Sequence, residues 1–320
     1  MSKRDLSFFI AKFLVKGLFP ALLACAMLAA CQKNLIRQTV SAEERASINT
    51  ASMKPEDHSN AQKVNFYEAL SQSLATRGST LAALFNREDA LERRILEDYG
   101  AVFLARRDKV LPPPVCIFTD AEQVLQFQTK ATAASAYIAG AKIELQPEAM
   151  RALLAARESA LAENLDITPR DGMEAGRRLF EDTIRLWNSR FYPALDYWQN
   201  NGRITANQIR ALKALPIRKQ VVSVLELEKE GIFFNTFFNN SILYSVAAPG
   251  ASQHLSMLAF DANEFGEKRV RKILAEHGWF RTVKGDAPHF TFLGVEEDDL
   301  PSLGLKKIKT GDGEYWIPNV

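Results

Sequence analysis

The chain has 320 residues, room for one large or two modest domains, and 47% of them are hydrophobic, 24% charged and 10% aromatic. That is the composition of an ordinary globular protein and excludes a largely disordered, collagenous or many-span membrane chain. The formal charge of +2 is unevenly placed: residues 1–30 carry Lys3, Arg4, Lys12 and Lys16 against Asp5, which leaves the remainder at −1. A body so near neutrality has no electrostatic footprint for nucleic acid, and no such partner is expected.

Residues 1–16 are basic and mixed, and 17–30 (GLFPALLACAMLAA) form an apolar run, the layout of a secretory signal. The run is shorter than the roughly 20 apolar residues of a membrane span, and Pro20 interrupts it. Its end, Leu28, Ala29, Ala30, Cys31, resembles the lipobox of bacterial lipoproteins. The resemblance implies cleavage before Cys31 and lipidation there, which anchors the chain to a membrane through several acyl chains; a plain signal peptide is the other reading. Gln32 in place of aspartate implies, in a bacterium with two membranes, the outer membrane facing the periplasm. Of three cysteines, Cys25 would leave with the signal and Cys31 would carry lipid, so Cys116 alone remains and no intrachain disulfide is expected. In the apolar run VCIF, Cys116 reads as a buried small hydrophobe.

Residues 31–60 read as a polar tether, with His58 a solvated side chain within it. A helical region follows over 61–114. Apolar residues recur there at three and four (Phe66, Leu70, Leu74; Leu81, Leu84; Leu91, Ile95, Tyr99, Phe103), which predicts two or three helices broken near Gly78 and ended by prolines 112–114. It holds no catalytic constellation, so packing or partner contact is its expected role. The pattern over 115–320 is mixed. VCIF (115–118) is a strand candidate, Thr119 or Asp120 can cap a helix reaching about residue 128, and 147–164 is a long amphipathic helix with proline in its first turn. Helical patterns follow at 174–200, 205–214 and 220–230. Short apolar runs at 258–260, 290–293 and 315–317, bounded by Gly, Pro and Asp, predict strands. The chain shows no internal repeat, phosphate loop or dinucleotide glycine fingerprint.

Three of the four histidines, His254, His277 and His289, gather in this last third. PGASQHLSMLAFD (249–261) and DAPHFTF (286–292) together offer His254, Asp261 and His289 as two imidazoles and one carboxylate, with Asp286 as a further acid. Such a set suits zinc, because three protein ligands leave a fourth position for water. Period-two alternation in HFTFL sets His289 opposite Phe290 and Phe292, so its ring can face a cleft while the phenylalanines enter the core, and Pro288 ends the strand beside Asp286. On the residues alone, satisfied core histidines and turn aspartates remain the other reading.

Ser252-x-His254 with Asp261 seven positions on, then Asp286-x-x-His289-Phe290, look like the signature of the zinc D-alanyl-D-alanine carboxypeptidases of the VanY type and the related L-alanyl-D-glutamate endopeptidases. Pro249-Gly250 and His277-Gly278-Trp279 also resemble that family, and the likeness covers about residues 140–295. It implies an α+β fold, a small antiparallel sheet with flanking helices of the VanY-like or hedgehog type, within 115–320. It also implies zinc on His254, Asp261 and His289, Asp286 as the acid that takes and returns a proton, Ser252 orienting its loop, and an arginine for the substrate carboxylate or the oxyanion. Arg178 in GRRLF is the choice, with Arg170 in reserve. Three positions depart from the pattern: Met257 stands where the family usually has glycine, Asp286 where the carboxypeptidases have glutamate, and GRRLF where Ser-Gly-Tyr-Arg-Ser is usual. The function implied is zinc-dependent hydrolysis of peptidoglycan stem peptides by an envelope lipoprotein; the alternative is a peptidase-like wall-binding protein with little or no turnover. His277, at Glu276-His277-Gly278, equally reads as a helix end.

Overall fold

The structure is a computed structural model that describes residues 64–106 and 108–320. The signal (1–30), Cys25, Cys31, the tether (31–60) and His58 lie outside the described residues. Among the described residues, nine α-helices and seven strands follow one another. They are α1 (Phe66–Ala75), α2 (Leu81–Leu84), α3 (Ala90–Tyr99), α4 (Ala121–Ala131), β1 (Ala134–Ile138), β2 (Ala141–Leu145), α5 (Pro147–Ala162), α6 (Phe180–Asn200), α7 (Ala206–Ala214), α8 (Ile217–Lys229), β3 (Ala259–Asp261), α9 (Lys268–Glu276), β4 (Trp279–Phe280), β5 (His289–Phe292), β6 (Leu305–Thr310) and β7 (Gly313–Pro318). The class is α+β: helices around a three-stranded antiparallel sheet ordered β3-β5-β4, with hairpins β1-β2 and β6-β7. Among the described residues no helix is long and apolar enough to cross a membrane.

The helix starts are where polar caps allow them. Asn65, Thr80 and Asp89 accept backbone N–H groups at the heads of α1, α2 and α3, and Asp120 accepts from Gln123 at the head of α4. Pro147 opens α5, where its missing N–H costs nothing. Phe66, Leu70, Ile95 and Phe103 join one core with Trp187, Phe191, Phe260, Trp279 and Phe292, so α1 to α3 pack into the body that carries the histidines. Phe66 donates its backbone N–H to Asn319 at the far end of the chain, 2.9 Å away.

Two expectations are corrected here. VCIF is not a strand: its N–H groups at Cys116 and Phe118 go singly to Leu84 and Gly250 carbonyls, so the segment threads between two others and never builds a ladder. The helix expected from 174 begins only at Phe180, because residues 172–175 form a 3-10 turn and the next backbone N–H groups leave the helical path, Arg177 donating to Glu144 in β2 and Arg178 to His254. Cys116 is buried, its thiol pushed up in pKa by burial, as an inert small hydrophobe should be.

The Phe118–Gly250 contact fixes the loop that leads to His254. Phe118 donates to the Gly250 carbonyl at 2.9 Å, and Gly250 has φ +83 with space for no Cβ, since one would lie 2.0 Å from the Phe118 carbonyl oxygen. Backbone on both sides leaves nothing flexible to yield. Gly250→Ala should therefore lower unfolding free energy by about 3 kcal/mol or more, the range of a strained backbone plus a steric clash. Urea denaturation with an unchanged slope and a lower midpoint would register this; an unchanged midpoint would refute it.

Candidate metal centre

Strands β3 and β5 pair antiparallel with Asp261 directly opposite His289. Neighbouring positions on one sheet face have Cβ atoms about 5 Å apart, which brings the two side chains together without further design. The third member comes from the 3-10 turn Gln253–Ser256, which Ser252 precedes and Met257 ends in the left-handed region at φ 57. A left-handed residue here turns the chain into β3, which is the physical reason a glycine would serve at this place. Met257 offsets its backbone cost by burying its side chain against Phe118, Phe127 and Leu255.

His254 Nε2, His289 Nδ1 and Asp261 Oδ1 form a nearly equilateral triangle. The separations are 3.1 Å between the two nitrogens, 3.1 Å from His289 to Asp261 and 3.3 Å from His254 to Asp261. All three residues are buried, and the group can hold a metal ion. The opposite ring nitrogens are engaged elsewhere. His254 Nδ1 lies 2.7 Å from the Gly176 carbonyl, which can only accept, so it carries the proton. His289 Nε2 lies 2.9 Å from Gln253 Oε1, and the Gln253 amide is oriented by its Nε2 donating to the Tyr99 carbonyl at 2.8 Å. In their neutral forms both histidines thus turn a bare lone pair toward the Asp261 carboxylate, a tautomer choice dictated by these partners. Burial, with the charge of Arg178 adding, lowers the pKa of His254 to about 4, so it is neutral at ordinary pH. Burial alone would raise the pKa of Asp261; where a facing nitrogen of His254 or His289 carries a proton, that neighbour instead holds the carboxylate well below the usual range. Three electron-rich atoms at this spacing with no proton between them repel one another unless a cation joins them.

The triangle opens on a cleft of about 240 Å3 that Ser252, Asp286, Arg170, Arg178 and Arg190 also line. Burial pushes the pKa of Asp286 up, against the pull of His289, and the Asp261 charge raises it further. Arg178 Nη2 donates to Asp261 Oδ2 at 2.7 Å, so this arginine turns the carboxylate and leaves Oδ1 to face the histidines. Arg170 reaches the cleft because its N–H binds the Asp261 carbonyl at 2.8 Å, and its guanidinium lies over Phe265. His277 is elsewhere: it ends α9, and its Nε2 lies 3.1 Å from Ser159 Oγ.

Gln253 and Gly176 carry the outer hydrogen bonds of the two histidines, and sequence reasoning passes over both. A buried glutamine between Ser252 and His254 is the one available signal. Gln253→Leu removes the acceptor for His289 while keeping volume, and affinity for a divalent metal ion should fall about 10–100-fold, as for loss of other such partners. Competition against a chelator on protein with a native circular dichroism spectrum measures this, and equal affinity would dismiss the role. Compared with known proteins, the chain matches no family model, and no curated protein shows a significant match to it.

Proposed function

We propose that this protein is a zinc-dependent hydrolase of peptidoglycan stem peptides, a D-alanyl-D-alanine carboxypeptidase or related endopeptidase on a VanY-like scaffold, held to the envelope by lipid on Cys31. The observation that carries the reading is the triangle of unprotonated donors, whose edges of 3.1–3.3 Å come close to the roughly 3.3–3.4 Å edges of a tetrahedron with zinc bonds of 2.0–2.1 Å. A zinc ion bound there would supply Lewis acidity, lowering the pKa of water and polarising a carbonyl.

The protein's own residues supply the rest. Asp286, half-buried at the cleft wall beside His289 and raised in pKa, would take a proton from water and hand it to the leaving amine. Arg178 orients Asp261, and Arg170 and Arg190 are guanidinium groups that can receive a peptide carboxylate. Ser252 has no base bonded to it and serves the loop, not attack. One observation favours the second reading, a binder without turnover: the Arg178 guanidinium is already spent on Asp261.

Mass spectrometry of muropeptides incubated with zinc-loaded protein lacking residues 1–31 separates the two. Loss of a terminal D-alanine or scission within the stem supports the peptidase. Intact muropeptides in the presence of stoichiometric zinc sink it in favour of the binder. For the anchor, Cys31→Ser should accumulate unprocessed precursor; normal maturation to a soluble form would leave a plain signal peptide.

A further inference from the structure

The cleft of the metal centre runs along α6, whose Thr183, Leu186 and Arg190 line it on successive turns. The head of this helix lies at the metal end: α6 starts just after Arg178, which holds Asp261, and the Thr183 hydroxyl accepts the Gly250 N–H at 3.3 Å in the loop that leads to His254. Arg190 follows Thr183 by about 10 Å along the helix axis. We propose, on the reading that this cleft is the substrate site, that Arg190 determines specificity: it receives a carboxylate of an acidic peptide, set back along the peptide from the group held at the metal centre.

The charge of Arg190 is uncompensated among the described residues. On the same helix Arg185 pairs with Glu174 at 2.5 Å and Asp182 at 3.5 Å, and at the head of the helix Arg178 pairs with Asp261 at 2.7 Å. Arg190 is half-buried, yet its partners among the described residues are hydroxyls alone. Its Nε donates to Ser245 Oγ at 2.8 Å and its Nη1 to Ser189 Oγ at 2.9 Å, which leaves Nη2 to a ligand. A guanidinium partly withdrawn from water gains most from an anion, and its planar fork suits a carboxylate. Arg178 and Arg170 are both tied to Asp261, the first by its side chain and the second by its backbone N–H, and so serve the metal end. Arg190 has no such tie and is left for a group further along the ligand.

The guanidinium is also held in place. Ser245, itself in the cleft wall, has its Oγ 3.1 Å from Thr236 Oγ1. The loop that carries Thr236 is closed at its base by the buried Glu228, whose Oε1 accepts the Ile242 N–H at 2.7 Å and the Phe234 N–H at 3.4 Å. At the tip Asn235 Oδ1 accepts the N–H groups of Asn239 and Asn240, at 2.9 and 3.2 Å, and Phe238 stacks on Tyr197 of α6 with ring centroids 4.2 Å apart. A cation supported in this way has less freedom to lose when a ligand binds it.

Linear α,ω-dicarboxylates of increasing length, each beside its monoamide, serve as a ruler on the zinc-loaded protein, read by calorimetry and by the Arg190 Nε–H resonance. One carboxylate has the metal ion or Arg170 to bind, and the other reaches Arg190 only when the chain is long enough. Affinity should therefore pass through a maximum at one length, where the diacid moves the Arg190 resonance and binds at least about tenfold more tightly than its monoamide. Arg190→Gln should remove that maximum. Arg190→Lys, which keeps the charge and loses the fork, should keep part of it. The length dependence and the resonance belong to the unaltered protein, so they decide the matter even if a substitution disturbs folding. A preference for diacids that is the same at every length, or one that survives Arg190→Gln, would overturn the site. Intact muropeptides together with a length maximum would discard hydrolysis and leave Arg190 this role in a binder.

Discussion

His254→Ala should leave the protein folded and unable to hold zinc. His254 Nε2 is one corner of a triangle whose other corners, His289 Nδ1 and Asp261 Oδ1, already have their own supports in Gln253 and Arg178. Removing it deletes a ligand and an uncompensated lone pair together, so the apo protein loses packing but is relieved of repulsion. The loss of zinc affinity should exceed the ~10–100-fold that loss of an outer partner costs. Thermal unfolding is a direct measure. Zinc at about 100 times its Kd should stabilise the unaltered protein by about 2.7 kcal/mol and do nothing for the variant. An undiminished shift would show that the ion sits elsewhere. Asp261→Ala is the poorer experiment, because it also takes the carboxylate partner from the half-buried guanidinium of Arg178.

Asp286→Asn should keep about one zinc per chain and lower kcat on stem peptides by about 10²–10⁴-fold, the usual worth of a positioned acid-base group. Asp286 is outside the ligand triangle, so its loss should appear in turnover and not in metal content. Its raised pKa sets the sign of the pH effect. In the proposed reaction the carboxylate form would act as base, so activity should fall as pH drops through a value above the ordinary aspartate range, and the acid limb should vanish in the asparagine variant. Asp286→Glu should restore part of the rate, since it moves the same group by one bond. An unchanged kcat in Asp286→Asn would remove the residue from the mechanism.

What the sequence determined by itself was local. Asp120 as a cap, Pro147 at a first helical turn, the helical spacing from Phe66 to Tyr99 and the strands at Phe260 and Phe290 could be read because each depends on neighbours within a few residues. The β1-β2 hairpin escaped because its turn is Ala139-Gly140, with positive φ at both, and alanine gives no turn signal. VCIF misled because an apolar run of four does not say whether a ladder partner exists. The candidate ligands were visible as residue types at a spacing, but their assembly was decided by tertiary structure. The β3-β5 register sets Asp261 against His289, a left-handed Met257 turns His254 onto them, and carbonyl and amide groups from Gly176 and Gln253 choose which ring nitrogens stay bare. His277 shows the same rule from the other side: its spacing placed it with the other two, and packing of α9 sent it to Ser159. Spacing along a chain records which donors are present; only contacts between distant segments fix their orientation and protonation, on which metal chemistry depends.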